Sequence, residues 1–230
     1  LKKLFAVLMM VPVGHVLFAQ EDIKPFVNKN TATIASIDPE AAGFDDLTPI
    51  GNAIGDSRIV MLGEQDHGDA PTFAAKIRLV NYLHNGKGLD VLAFESDLFS
   101  ATYGFEQLPD PGKSFAGYYK ANIFPYWTIC DASTSLFTKY LPESFATSNP
   151  LILAGFDNQM YLRYSYQHLS KSIDSIARSL DLDLVHQEAQ FKEQLATIEL
   201  LSNQMLVLSK NKKYYEQAAE SFQVLKAQLS

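Results

Sequence analysis

The sequence predicts an α/β domain: a parallel β-sheet flanked by helices in βαβ units, with a long helical segment toward the C-terminus. Three short apolar runs predict the sheet, at Ile59–Leu62, Leu89–Phe94 and Leu151–Phe156. Runs of that length, apolar at successive positions, suit strands buried on both faces. Between the first two runs Phe73, Ile77, Val80 and His84 recur at helical spacing, and strand, helix and strand make a right-handed parallel unit. Beyond Tyr161 the texture turns helical. Phe191, Leu195, Ile198, Met205 and Leu208 keep one apolar face, and Tyr215, Ala218, Phe222, Leu225 and Leu229 form a seam stepping by three and four.

Taken in order, residues 1–19 have the pattern of a secretory signal peptide. Lys2-Lys3 are its basic start, Leu4–Val11 its apolar core, and Ala19 the small residue before Gln20. The apolar stretch is shorter than the about 20 residues needed to cross a bilayer, and Pro12 and Gly14 break it. The expected location is therefore periplasmic or secreted, with no stable membrane span once the signal is removed. A buried N-terminal helix is the competing reading. Residues 20–160 form the predicted α/β region and 161–230 the helical region. Asp38-Pro39, Gly43 and Asp45-Asp46 are turn signals, and Phe44–Leu47 with Ile50 and Ile54 suggests a short helix. Asp69 can cap a helix carrying Pro71 in its first turn, which Asn85-Gly86-Lys87-Gly88 ends. Pro109–Gly112 reads as a loop, Tyr118, Tyr119, Phe124, Tyr126 and Trp127 as an aromatic stretch, and Ser133–Leu141 as a helix. The last helix meets no stop signal before Ser230 and the sheet has three clear strands, so the sequence reads as a truncated domain.

The chain has 230 residues, 47% hydrophobic and 20% charged, an ordinary globular composition. The formal net charge is −7, and loss of Lys2 and Lys3 with the signal would make it −9. No basic face offers itself to a phosphate backbone, so nucleic acid is excluded as the expected partner. Cys130 is the only cysteine, which rules out an internal disulfide.

Three predicted strands end in acid, at Glu64, Glu95 and Asp157, and His67 follows the first of them. Parallel neighbours would bring these groups to one rim, where open α/β sheets place their chemistry. Each has an ordinary structural alternative, a helix cap or turn for a carboxylate and a hydrogen-bonding role for the His. Together they suit water activation, because imidazole exchanges protons near neutral pH and a carboxylate beside it fixes its tautomer. Lys76 and Arg78, on the helix that starts at this rim, could reach a developing oxyanion. No G-x-S-x-G elbow, phosphate-binding loop or dinucleotide fingerprint is present. A divalent metal held by Glu64, His67, Glu95 and Asp157 is the competing chemistry.

Leu62-Gly63-Glu64-Gln65-Asp66-His67-Gly68 resembles the G-E-x-x-H-G signature of the erythromycin esterase family. Ile54–Arg58 before it, Ala93-Phe94-Glu95, and Gly155-Phe156-Asp157 with Gln159 resemble further blocks of that family in the same order. The resemblance implies a hydrolase that opens an ester or lactone through activated water, with His67 as base, Glu64 beside it, Glu95 as the second-strand carboxylate, and no required cofactor. Lys76 stands where the family usually has Arg, and Gln65-Asp66 where antibiotic-inactivating members have small residues. Trp127, Asp131 and Asp157 are the implied substrate-binding residues. Family members carry further active-site histidines in a C-terminal half; His168 and His186 match no such motif. The expected partner is a small-molecule ester or lactone. The alternatives are a divalent-metal-dependent hydrolase on the same rim and a non-catalytic periplasmic binding protein.

Overall fold

The computed structural model describes residues 18–64 and 66–203, together with positions 216, 219, 220, 223, 226 and 227. Its elements run α1 (Phe18–Asn30), α2 (Thr48–Ile54), α3 (Ala70–Lys87), β1 (Val91–Asp97), α4 (Pro111–Asn122), α5 (Pro125–Thr128), α6 (Leu141–Ser144), β2 (Ile152–Asp157), α7 (Arg163–Ser179) and α8 (Glu188–Leu201). α1 runs through the predicted cleavage point at Ala19–Gln20. Residues 1–17 and the seam Tyr215, Ala218, Phe222, Leu225 and Leu229, with Met205 and Leu208, lie outside the described residues. Among the described residues no helix is long and apolar enough to cross a membrane.

α3 forms as its pattern dictates. Pro71 sits in the first turn, where its missing N–H costs nothing, and Gly88 closes the helix in the left-handed conformation at φ 69°. Phe73, Ile77, Val80, Leu83 and His84 are buried along one face. The Asp69 carboxylate accepts from the Thr72 hydroxyl rather than from a backbone N–H. α4 begins with Pro111 after Asp110, whose side chain accepts the Lys113 N–H at 3.3 Å.

The sheet is smaller than the sequence predicts. β1 and β2 pair in parallel, with Val91 opposite Ile152 and Phe94 opposite Gly155, and they are the only strands among the described residues. The fold is thus mostly helical with a small parallel sheet, α/β in kind. The register slips between Phe94 and Asp97, so that Glu95 and Ser96 oppose the single residue Phe156, a bulge of the kind that re-aims side chains.

Ile59–Leu62 is not the predicted buried strand. It pairs with no neighbour, and Ile59 and Met61 are 82% and 91% exposed while Leu62 packs inward on the core. The apolar run promised burial on both faces, and only one face is covered. The sheet shows the same asymmetry. Phe94 and Leu153 bury one face against Ile77 and Val80 of α3, Phe115 and Tyr119 of α4, and Phe137 and Leu141. On the other face Val91, Ile152 and Phe156 are open.

β1 also runs past its predicted end at Glu95. Ser96 and Asp97 are fully buried. The Asp97 carboxylate accepts three bonds, from the Ser100 N–H at 2.8 Å, the Ser165 hydroxyl at 2.7 Å and the Leu162 N–H at 2.9 Å. That knot ties the end of β1 to the start of α7 and satisfies a charge which burial would otherwise make costly. α7 and α8 then enclose a second small core around Ala177, Leu184, Phe191 and Ile198, so the apolar face predicted for Phe191, Leu195 and Ile198 is present as far as α8 extends.

Candidate active site

The loop from Gly63 to Asp69 joins the extended segment to α3. Gly68 turns the chain toward α3 at φ 84°, a conformation that favours glycine, just after His67. The imidazole Nδ1 lies 3.0 Å from Glu64 Oε2, with the His side chain 53% exposed and the Glu 15%. Bonding at Nδ1 fixes the neutral tautomer with its proton there, leaving Nε2 as the basic atom. Nε2 has no partner among the described residues. The second Glu64 oxygen, Oε1, is buried and likewise without a hydrogen-bond partner.

A second element reaches this pair from the other side. α5 begins at Pro125, and its neighbours are held by the bulge in β1. The Phe124 N–H donates to Ser96 Oγ at 2.9 Å, and Trp127 Nε1 donates to the Glu95 carbonyl at 2.8 Å. Between these anchors Tyr126 stacks on His67, with ring centroids 4.6 Å apart and planes 15° from parallel. Trp127 packs on Phe73 and Phe94, and the Lys76 ammonium sits over Phe73 and Trp127 at 5.5 and 5.7 Å from their centroids. Lys76 has no acidic partner among the described residues. A largely apolar cleft of about 320 Å³ borders the same loop, with Leu62, Gly63, Thr72, Ala75, Lys76 and Leu79 among its walls.

The other predicted site residues do not join the Glu64–His67 pair. Arg78 is 3% exposed and also lines the cleft, with its guanidinium bonded to Asp46 and to the carbonyls of Ser36 and Gly43. Its guanidinium is committed to holding residues 36–46 against α3. Glu95 exposes its carboxylate and contributes its backbone carbonyl to Trp127. Asp157 folds into a local turn, accepting the Gln159 N–H at 2.8 Å and its side-chain amide at 3.2 Å. Asp131 is exposed at the start of a short turn of helix. His168 stacks on Tyr164, and His186 pairs with Asp181.

No three His, Cys, Asp or Glu side chains among the described residues converge in an arrangement that could hold a metal ion. Glu64 and His67 make a pair, and neither Glu95 nor Asp157 completes a set of three with them. Of the four residues that offered themselves as ligands in the competing metal reading, the structure thus brings Glu64 and His67 into contact.

Sequence reasoning missed the placement of Tyr126. It stood in the aromatic stretch, but nothing in the local pattern says which ring of that stretch meets His67. Tyr161 lies on the same rim: burial pushes its phenol above the usual value, and the proximity of Tyr126, Asp157 and Asp97 adds to the shift.

With this geometry in view, comparison with known proteins finds two likenesses. The chain is 36% identical over 126 residues to "Putative hydrolase YbfO" of Bacillus subtilis (strain 168), an alignment covering 54% of this chain and 27% of that protein. It shares its fold with a protein of Bacillus cereus whose crystal structure it matches with a TM-score of 0.64 and 20% identity, over 90% of this chain and 48% of that one. The chain thus spans about a quarter of the first protein's length and about half of the second's. No family model matches the sequence, and the erythromycin esterase resemblance stays with the blocks that carry it.

Proposed function

We propose that this protein is a hydrolase that cleaves an ester or lactone with a water molecule activated by His67. The observation that carries the proposal is the Glu64–His67 contact through Nδ1, which leaves Nε2 free to take a proton. Glu64 orients the ring. Lys76, held by aromatic faces and not by an acid, supplies positive charge for the oxyanion that forms when water adds to the carbonyl.

The hydrolase name of the Bacillus subtilis relative supports the general reaction. The four sequence blocks shared with erythromycin esterases support an ester or lactone as the bond cleaved. The signal-like N-terminus supports action in the periplasm or outside the cell. Arg78 is no part of the mechanism in this reading, since its Nη1 and Nη2 donors already hold Asp46 and the carbonyls of Ser36 and Gly43 and its remaining donor, Nε, is buried.

The test is hydrolysis of a panel of aryl esters, aliphatic esters and lactones by the wild-type protein, His67→Ala and Glu64→Gln. Loss of general-base catalysis should lower kcat by about 10²–10⁴-fold in His67→Ala. Equal turnover by the wild type and His67→Ala would overturn the proposal.

A further inference from the structure

We propose that Tyr126 is a positioning residue for His67, its ring fixing the plane of the imidazole so that Nε2 is aimed while Glu64 holds Nδ1. The inference rests on the hydrolytic reading of His67 given above.

The need for such a residue follows from the loop. A single hydrogen bond at Nδ1 leaves the imidazole free to swing about the axis of that bond, and the side chain is 53% exposed in a loop. Rotation about that axis would carry the Nε2 lone pair off its target, and a displacement of about 1 Å can cost about 10²-fold in rate. A parallel ring at 4.6 Å and 15° opposes that rotation, since tilting the imidazole would break the stack. Hydrogen bond and stack together define the ring's direction and its plane.

Tyr126 can act as a fixed surface because its own backbone is held. Phe124, one of the most buried rings at 5% exposure, is anchored to Ser96, and Trp127 to the Glu95 carbonyl. Both anchors belong to the bulge in β1. The bulge therefore reaches the catalytic pair at one remove, through α5. Phe124 also stacks on Tyr161 at 5.3 Å, which braces α5 from the side of β2. Tyr126 itself is 54% exposed, so its ring adds little to the core. Among the described residues the titratable groups in contact with His67 are Glu64, from its own loop, and Tyr126, from α5.

The experiment compares wild type, Tyr126→Phe and Tyr126→Leu by NMR of the His67 ring protons at one fixed pH, and by steady-state hydrolysis of an aryl ester. A stacked aromatic ring shifts those protons upfield. The expected result is an upfield signal in wild type and Tyr126→Phe that is lost in Tyr126→Leu. With it, kcat should fall about tenfold or more in Tyr126→Leu at similar KM, and recover in Tyr126→Phe. Because the ring is half exposed, melting temperatures should change little. Identical His67 signals in wild type and Tyr126→Leu would overturn the proposal whether or not the protein is a hydrolase. So would an unchanged kcat in Tyr126→Leu, or a Tyr126→Phe variant as impaired as Tyr126→Leu, which would assign the effect to the hydroxyl. If the ring shift behaves as expected while His67→Ala keeps full turnover, the stack is present but the hydrolytic role of His67 fails, and Tyr126 positions no catalytic group.

Discussion

Arg78 grips Asp46 through two hydrogen bonds, Nη2 to Oδ1 at 2.7 Å and Nη1 to Oδ2 at 2.9 Å. The Arg78 hydrogen bond holds the Asp46 carboxyl far below the usual carboxylate range, against the opposing effect of burial and with help from the N–H groups of Ala35 and Ser36. A carboxyl depressed in the folded state contributes stability above its unfolded pKa, near ~3.9, and loses it progressively as pH falls below that value. Thermal melts between pH 7 and pH 2.5 should therefore show the wild type losing stability below about pH 4. Asp46→Asn should melt lower at neutral pH but fall less steeply in acid. Parallel curves for the two proteins would remove the pair from the acid response.

Lys76 offers a sharper test of charge at the site. Its ammonium is held by the faces of Phe73 and Trp127, so Lys76→Met keeps most of the packing and removes the charge. On a hydrolysed ester kcat should fall about 10²-fold in Lys76→Met, the scale of a lost oxyanion partner. Lys76→Arg should keep most of the rate, since the charge remains. A Met variant with wild-type kcat would assign the lysine to packing alone.

Asp97 predicts a stability effect with no direct part for Glu64 or His67. Its removal would strand the Ser100 and Leu162 N–H groups, while the Ser165 hydroxyl keeps Ser100 Oγ at 3.0 Å. At about 1–3 kcal/mol for each unsatisfied buried group, Asp97→Ala should cost about 2 kcal/mol or more, read from the midpoint of urea unfolding. Asp97→Asn keeps one carbonyl acceptor and should cost less. Equal midpoints for wild type and Asp97→Ala would show that the knot contributes nothing.

Gly155 tests the bulge. A Cβ there would lie 2.6 Å from the carbonyl oxygens of both Ser96 and Asp97. Those are backbone atoms and cannot rotate aside, so Gly155→Ala must push the strands apart. Overpacking of this kind costs about 1–3 kcal/mol, occasionally more. Because the bulge also anchors α5 through Glu95 and Ser96, the variant should lose kcat beyond what its lower stability explains. Unchanged turnover in a destabilised but folded variant would break that link.

Much of the helical framework was legible because it depends on local signals. Phe73, Ile77, Val80 and His84 share one face, and Gly88 ends their helix as its place in the pattern foretells. Two of the three predicted strands are present, and the first of these, β1, was ended too soon. Ser96 and Asp97 are polar, and a polar residue reads as a strand end unless its partners are known; those partners, Phe124, Leu162 and Ser165, lie far along the chain. Ile59–Leu62 was over-read because an apolar run does not say which of its faces will be covered. Glu64 and His67 were legible as a pair because they sit on one short loop. Arg78 was legible only as a cation near the site, since the acid that claims it lies on a separate segment well before α3.

Trp127 is the only tryptophan in the chain. Its indole N–H is bonded to Glu95, and its ring lies against Phe73, Phe94 and the Lys76 ammonium. The protein therefore carries its own fluorophore at the rim, with no competing indole elsewhere. Intrinsic emission reports the state of that one neighbourhood, and a ligand that draws Lys76 off the ring should change its intensity without any label.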